Sequence, residues 1–271
     1  MKKNLTTKKN INVNIDNKII DVNLPKEFTS AEVHIFADLH IGDPLCDIQE
    51  IKNRIKAVES KDNALAILNG DILNNAIASS VSDCYAEKLT PMEQVEKAAE
   101  LFAPIKDKII AITNGNHEDR TYKQTGIDLT QVLALKLGLQ EKFSPSAATI
   151  IIRLGNGNRQ RKIWYSMYVT HGRGGGSKPG SKVNKLAELK SIIDTDIYVH
   201  SHTHMPAIFK EGFERLDVIN RSIQVVEKLF INTSSELNYG GYGQVACFTP
   251  SAKATPVIHL SGTEKKYYAT L

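Results

Sequence analysis

Cysteine is scarce: Cys46, Cys84 and Cys247 are odd in number, far apart and outside any Cys-x-x-Cys pair. That argues against a disulfide framework and suits a reducing compartment, with the three thiols read as small buried apolar side chains. No apolar run approaches the length of a membrane span, and the opening "MKKNLTTKKN" is charged with no apolar stretch behind it. Neither a spanning helix nor a secretory signal is expected, and the chain is placed in the cytoplasm. Charge of one sign is lacking too. Thirty-four basic residues against 30 acidic ones leave a net +4, too mild to argue nucleic-acid binding by itself. Part of that excess is Lys2, Lys3, Lys8 and Lys9. What is present is globular: 41% hydrophobic and 24% charged residues support a sizeable core. No repeat or long linker divides the chain, so residues 1–271 are read as one domain, with 1–30 a β extension.

Residues 11–24, "INVNIDNKIIDVNL", alternate apolar and polar around "DNK", as a hairpin or an appended edge strand would. From Glu32 onward, short β-branched runs alternate with helical stretches. "EVHIFAD" precedes a helix over Ile48 to Glu59; "ALAILNGD" precedes "PMEQVEKAAELF", with Pro91 suited to a first turn; "KIIAITNGNHEDR" precedes "DLTQVLALKLGL". The second half reads as a hairpin turning at "GNGN", a Gly- and Lys-rich loop, a helix "VNKLAELKSII", a strand "TDIYVHSHTH" and then mostly β segments, "QVACFTP" and "TPVIHLSG" among them. The expected fold is α/β: a four-layer αββα sandwich, two mixed β-sheets flanked by helices.

The expected strands end alike. The first ends in Asp38 and His40, the second in Asp71, the third in Asn116, His117 and Glu118, a later one in His171, and the next in "HSHTH", His200 to His204. In an extended strand His200, His202 and His204 would line one face. Taken singly, a strand-end His is more often a cap or turn residue than a ligand, and Gly-Asp or Gly-Asn is usually only a turn. Five such matches in one order, at the strand ends where α/β sheets bind ligands, tell against coincidence.

These elements resemble the signature of the calcineurin-like metallophosphoesterases: D-x-H, G-D, G-N-H-[DE], a His often followed by Gly, and G-H-x-H. Here they stand as Asp38-Leu39-His40, Gly70-Asp71, Gly115-Asn116-His117-Glu118, His171-Gly172 and Ser201-His202-Thr203-His204, with Ser201 replacing one Gly. The resemblance implies two divalent metals. Asp38, His40 and His204 would hold one, Asn116, His171 and His202 the other, and Asp71 would bridge them. Mixed imidazole and carboxylate ligands suit Mn, Fe, Zn or Ni better than Mg, and Mn is the expected ion. Such a pair deprotonates a bridging water and clamps phosphate oxygens during an in-line displacement. The resemblance also makes His117 a general acid beside the leaving oxygen, oriented by Glu118 or Asp119. His200 falls outside the motif and is read as a packing or supporting residue; His34 and His259 are read as structural.

The loop "HGRGGGSKPGSKVNK" offers backbone N–H groups and Arg173, Lys178 or Lys182 to phosphate oxygens, with Arg120 a further candidate; a solvated flexible loop is the competing reading. It resembles loops of phage-encoded members of the family, which points toward nucleic-acid phosphodiesters. Trp164, Tyr239 and Tyr242 could stack on a base or simply serve core and turns. The expected function is a metal-dependent phosphodiesterase, nucleases included. The alternatives are a phosphomonoesterase and a scaffold of the same fold without metals. The complete ligand set disfavours the scaffold. Asn114, where Ser/Thr phosphatases of the superfamily carry Arg, disfavours a protein phosphatase. The expected partner is a phosphate-ester substrate, nucleic acid among the candidates, and no membrane.

Overall fold

In strand β3 (Ala64–Asn69), ALAILN, every residue is buried, as an apolar run at the centre of a parallel sheet should be. It lies between β2 (Ser30–Phe36) and β4 (Ile109–Thr113), both parallel to it. The computed structural model describes residues 17–157, 161–176, 178–245, 247 and 249–271. With β5 (Phe143–Ser144) on one side and antiparallel β11 (Val257–Ser261) and β12 (Tyr267–Thr270) on the other, β2, β3 and β4 form a six-stranded mixed sheet.

The second sheet also has six strands. Its order is β1 (Asn17–Asn23), β6 (Ala147–Leu154), β7 (Ile163–Thr170), β8 (Ile197–His200), β10 (Ser222–Asn232) and β9 (Ala207–Asp217). Parallel and antiparallel neighbours mix here too: β7, β8 and β10 run together, while β6 runs against β7 and β9 against β10.

Three apolar layers show why the sheets stack. Val33, Ile35, Ile67, Ile150, Met167, Val199 and Ile231 fill the space between the sheets. Outside the first sheet, Ile51, Ile55 and Val58 of α1 (Ile48–Glu59), Val95, Ala98 and Phe102 of α2 (Pro91–Phe102) and Leu133 of α4 (Leu129–Leu137) cover Phe36, Ala66, Leu68 and Ile112. Outside the second sheet, Leu186 of α5 (Pro179–Glu188) packs near Tyr168, Tyr198 and Phe230. These layers make up the expected αββα sandwich. Local signals set the helix starts: Asp47 caps α1, and Thr90 with Glu93 forms a capping box ahead of Pro91.

Several expectations need correction. Helix α5 starts at Pro179, four residues before the expected Val183, because Pro179 presets the first turn. The described residues of "QVACFTP" form no strand. Its first two residues finish the short helix α6 (Gly241–Val245), after Gly240 and Gly241 turn the chain with positive φ. Of the thiols, Cys46 and Cys84 are only half-buried and Cys247 is exposed. Within the N-terminal extension, residues 17–23 form the edge strand β1, parallel to β6; residues 1–16, and with them the first half of the expected hairpin, lie outside the described residues. So do Asn158 of the "GNGN" turn, Ser177 of the glycine loop and the Tyr242 side chain. Among the described residues, no helix is long and apolar enough to cross a membrane.

Candidate metal centre

Asp38 and His40 follow β2, Asp71 follows β3, Asn116 and His117 follow β4, His171 follows β7, and His202 and His204 follow β8. The strand alternation expected for "HSHTH" ends at His200, the last residue of β8. His202 and His204 lie in the loop beyond it with φ of 65° and 53°. Asp38, His40 and Asp71 adopt the same left-handed backbone, at 53°, 52° and 49°. Each such non-glycine residue costs roughly 1–3 kcal/mol, strain that concentrates at functional sites. The side chains therefore meet through strained loop backbone and not through a shared strand face.

Two groups of potential ligands result. His204 Nε2 lies 3.2 Å from Asp38 Oδ1 and 3.3 Å from His40 Nε2. His171 Nε2 lies 3.2 Å from Asp71 Oδ2 and 3.3 Å from Asn116 Oδ1, with the His202 ring 5.4 Å from the His171 ring. A third trio, His40, Asp71 and His117, links the two, since its ligand atoms lie within 4.8 Å of one another. All seven expected ligands are thus gathered, and Asp71 reaches both sides.

The donor set fits divalent cations. Asp38 is fully buried; its Oδ2 receives the His202 N–H (3.1 Å) and the Thr233 hydroxyl (3.3 Å), while Oδ1 has no hydrogen-bond partner. A bare buried carboxylate oxygen facing imidazole nitrogens is costly unless a proton or a cation comes between them. Burial, the largest influence, lowers the pKa of His171, but the Asp71 and Asp38 carboxylates more than reverse it, to about 10. At His202 burial and the charge of His171 prevail and push it down to about 4. The two carboxylates thus favour positive charge at the place where a cation would bind.

Hydrogen bonds fix the imidazoles. His171 Nδ1 faces the Asn69 carbonyl at 2.9 Å, so it carries the hydrogen and presents Nε2 as the ligand atom. His117 Nδ1 donates likewise to the Asn74 carbonyl at 2.7 Å. This corrects the expectation that Glu118 or Asp119 orients His117. Glu118 lies at the start of α3 (Glu118–Thr125), where its carboxylate accepts the N–H groups of Asp71, Leu73 and Gly115 at 2.9–3.1 Å. It ties the β3 loop to the β4 loop. Burial and the Asp71 charge push it up to about 7, against the Leu73 N–H and its own N–H. Gly115 is required there, because a Cβ would lie 2.1 Å from Asp71 Oδ1.

The cationic candidates part ways. Arg120 donates to His117 Nε2 at 2.9 Å and to the Asn74 carbonyl at 3.2 Å, beside the site. Arg173 is exposed and pairs with Asp119 at 2.6 Å; Lys178 is exposed at the start of α5. Lys182 donates to the Thr203 carbonyl at 2.9 Å, within the histidine loop. Asn114 points away, to Asp128. Trp164 is exposed on β7 beneath the Lys265 ammonium. His200 is buried, its Nδ1 2.8 Å from Asn232 Oδ1 and its Nε2 against Gly172, in keeping with a supporting role. His34 lies buried in β2 beside Glu32, and His259 stacks on Tyr268, structural as expected.

Sequence reasoning passed over Asn69. Its amide donates to Ser201 Oγ (2.7 Å) and the Thr170 carbonyl (3.0 Å), and its Oδ1 accepts the Thr113 hydroxyl. Ser201, the departure from Gly, thereby gains a partner. The signal was there: Asn69 ends an apolar strand two residues before a ligand. The buried run Asn232 to Glu236 was passed over as well, although it follows the apolar "LFI" of β10 in the same way.

A sequence profile described as calcineurin-like phosphoesterase matches residues 32–206. Among solved structures, the chain is similar to a predicted phosphoesterase of Streptococcus pneumoniae TIGR4 at 14% identity, over 89% of this chain and 90% of that one, with a TM-score of 0.41. It is also similar to Vps29 of Entamoeba histolytica complexed with zinc, at 10% identity over 88% and 97% of the two chains and a TM-score of 0.38. A metallophosphoesterase of Sphaerobacter thermophilus matches at 13% identity over 85% and 83%, with a TM-score of 0.34. No curated protein matches the chain.

Proposed function

Because this chain belongs to the calcineurin-like phosphoesterase family, we propose that it is a metal-dependent phosphodiesterase acting through two divalent ions, Mn foremost. The observation that carries the reading is the convergence of the two ligand groups on Asp71. Asp38, His40 and His204 would hold one ion and Asn116, His171 and His202 the other, with Asp71 within reach of both. When bound, such a pair lowers the pKa of a water and neutralises charge on phosphoryl oxygens.

The chain's own groups do the rest. Asn69 and Asn74 hold His171 and His117 in the tautomers that leave each Nε2 facing the site. To protonate the leaving oxygen, His117 first takes a proton at Nε2 from solvent, becoming an imidazolium whose Nδ1–H stays on the Asn74 carbonyl. Arg120, which donates to Nε2 while it is unprotonated, turns its N–H to the leaving oxygen as charge develops there. Glu118 keeps the Asp71 loop in place from behind.

Diester substrates are favoured on charge grounds. A monoester dianion calls for extra cations, and two of those nearby are engaged: Arg173 with Asp119 and Lys182 with the Thr203 carbonyl. The test strips the protein with chelator, restores Mn and compares bis(p-nitrophenyl) phosphate, a DNA oligonucleotide, a cyclic nucleotide and p-nitrophenyl phosphate. Mn-dependent turnover of diesters above the monoester is expected. Preference for the monoester would make the chain a phosphatase, and inactivity with no bound metal would leave only a scaffold.

A further inference from the structure

Strand β10 runs parallel to β8 and pairs Asn232 with His200, so the chain leaves β10 at the same end of the sheet as the histidine loop. The five residues that follow the apolar run, Asn232-Thr233-Ser234-Ser235-Glu236, are polar yet at most 5% exposed. Apart from Ser234, which bonds Ala254, their partners lie mainly in the Asp38 loop and in the histidine loop that carries His202 and His204. Asn232 donates its amide to Thr203 Oγ1 (2.6 Å) and to the Met205 carbonyl, bracketing His204. The Thr233 hydroxyl meets Asp38 Oδ2 at 3.3 Å. The Asp38 carbonyl accepts the Ser235 hydroxyl (3.0 Å) and the Glu236 N–H (3.2 Å). Behind them the Glu236 carboxylate pairs with buried Arg54, whose other arm donates to the Ile35 carbonyl at 2.5 Å.

We propose that residues 232–236 form a sixth strand-end element of the metal centre, with Thr233 and Ser235 positioning Asp38 for the ion shared with His40 and His204. The inference rests on the functional reading above. The chemistry is a division of labour within one carboxylate. Oδ2 is occupied by the Thr233 hydroxyl and the His202 N–H, which turns Oδ1, bare and buried, toward His204. The Ser235 and Glu236 donors meanwhile hold the Asp38 backbone in its left-handed conformation, φ 53°. Asn116 and His171 receive none of these contacts, and His202 meets them only through its backbone N–H on Asp38 Oδ2, so the side-chain support falls on one of the two ligand groups.

The test is calorimetric titration of the chelator-stripped full chain with Mn, for wild type, Thr233→Val, Thr233→Ser and Ser235→Ala, each checked for folding by circular dichroism. In Thr233→Val one of the two binding steps weakens about 10–100-fold, as removal of a hydrogen-bonding support does at metal sites, while the other step is unchanged. Thr233→Ser, which keeps the hydroxyl, restores it. Ser235→Ala weakens the same step and serves as the deciding variant if Thr233→Val does not fold. Wild-type binding of both ions with Thr233→Val unchanged, or with both steps weakened equally, overturns the inference alone. A wild-type chain that takes up no Mn overturns the functional reading and the inference together.

Discussion

The two ends of β10 show how differently one chain treats its polar groups. At the carboxyl end, Asn232 to Glu236 are buried; Asn232, Thr233 and Ser235 contact loops of the metal centre, and Glu236 pairs with Arg54 behind them. At the other end, ten residues and about 30 Å of strand away, the β9–β10 hairpin carries Leu216, Val218, Ile219 and Ile223 largely exposed. Its ion pairs there, such as Arg215 with Asp194, are open to water. Polar side chains at the first end are ordered at the cost of desolvation, which their hydrogen bonds to the metal-centre loops offset. At the second end the charges keep a hairpin soluble. Substitutions at the two ends should therefore differ by orders of magnitude.

The largest effect is expected at Asp71, the carboxylate common to both ligand groups. Asp71→Asn removes the charge that both ions would share, so metal content measured by mass spectrometry falls and turnover drops by at least ~10⁴-fold, more than a positioned proton donor alone contributes. Near-normal activity in a protein that has lost metal would sink the assignment. His117→Ala separates chemistry from binding. Metal content stays at the wild-type level, because His117 belongs to neither group of expected ligands, while kcat falls by roughly 10²–10⁴-fold. Loss of metal in this variant would instead make His117 a ligand through the trio it forms with His40 and Asp71.

The contrast between the ends also explains what the sequence could show. The ligands were legible because each motif is local: Asp-x-His or Gly-Asn-His sits within a few residues, directly after an apolar run. The layers were legible for the same reason, since the buried stripe of α1 and the unbroken apolar β3 each declare their face. The supports were not. Thr233 meets Asp38 across 195 positions, and Asn69 meets Ser201 across 132, so no short pattern records either contact. Adjacency also misled. Glu118 follows His117 directly but serves Asp71, because the first turn of α3 directs it toward the N–H groups of the neighbouring loop. The alternation of "HSHTH" implied a strand face, yet His202 and His204 turn left-handed after β8 ends.

An intermediate effect is expected where the site packs against its own support. A Cβ on Gly172 would lie 2.0 Å from His200 Nε2, and the residue has φ +83°. His200 cannot retreat easily, since Asn232 holds its Nδ1. Gly172→Ala therefore combines an unfavourable backbone with overpacking, together roughly 2–4 kcal/mol of stability. Calorimetry should show a melting point lower by several degrees, with weaker activity because His171 immediately precedes the displaced residue. An unchanged melting point would mean that His200 moves freely, and with it the supporting role assigned to it would fall.

The smallest effect belongs to the far end. Arg215 and Asp194 approach to 2.6 Å, but their side chains are 53% and 67% exposed. Water already solvates both charges, and holding two mobile side chains in one geometry offsets most of the attraction, so such pairs contribute about 0–1 kcal/mol. Arg215→Ala should shift stability in urea by no more than about 0.5 kcal/mol and leave Mn binding and turnover unaltered. The hairpin would then be separable from the centre even though β10 runs into both. A loss well above 1 kcal/mol, or any change in metal affinity, would show that strain passes along β10 from hairpin to site, and the independence of its two ends would have to be given up.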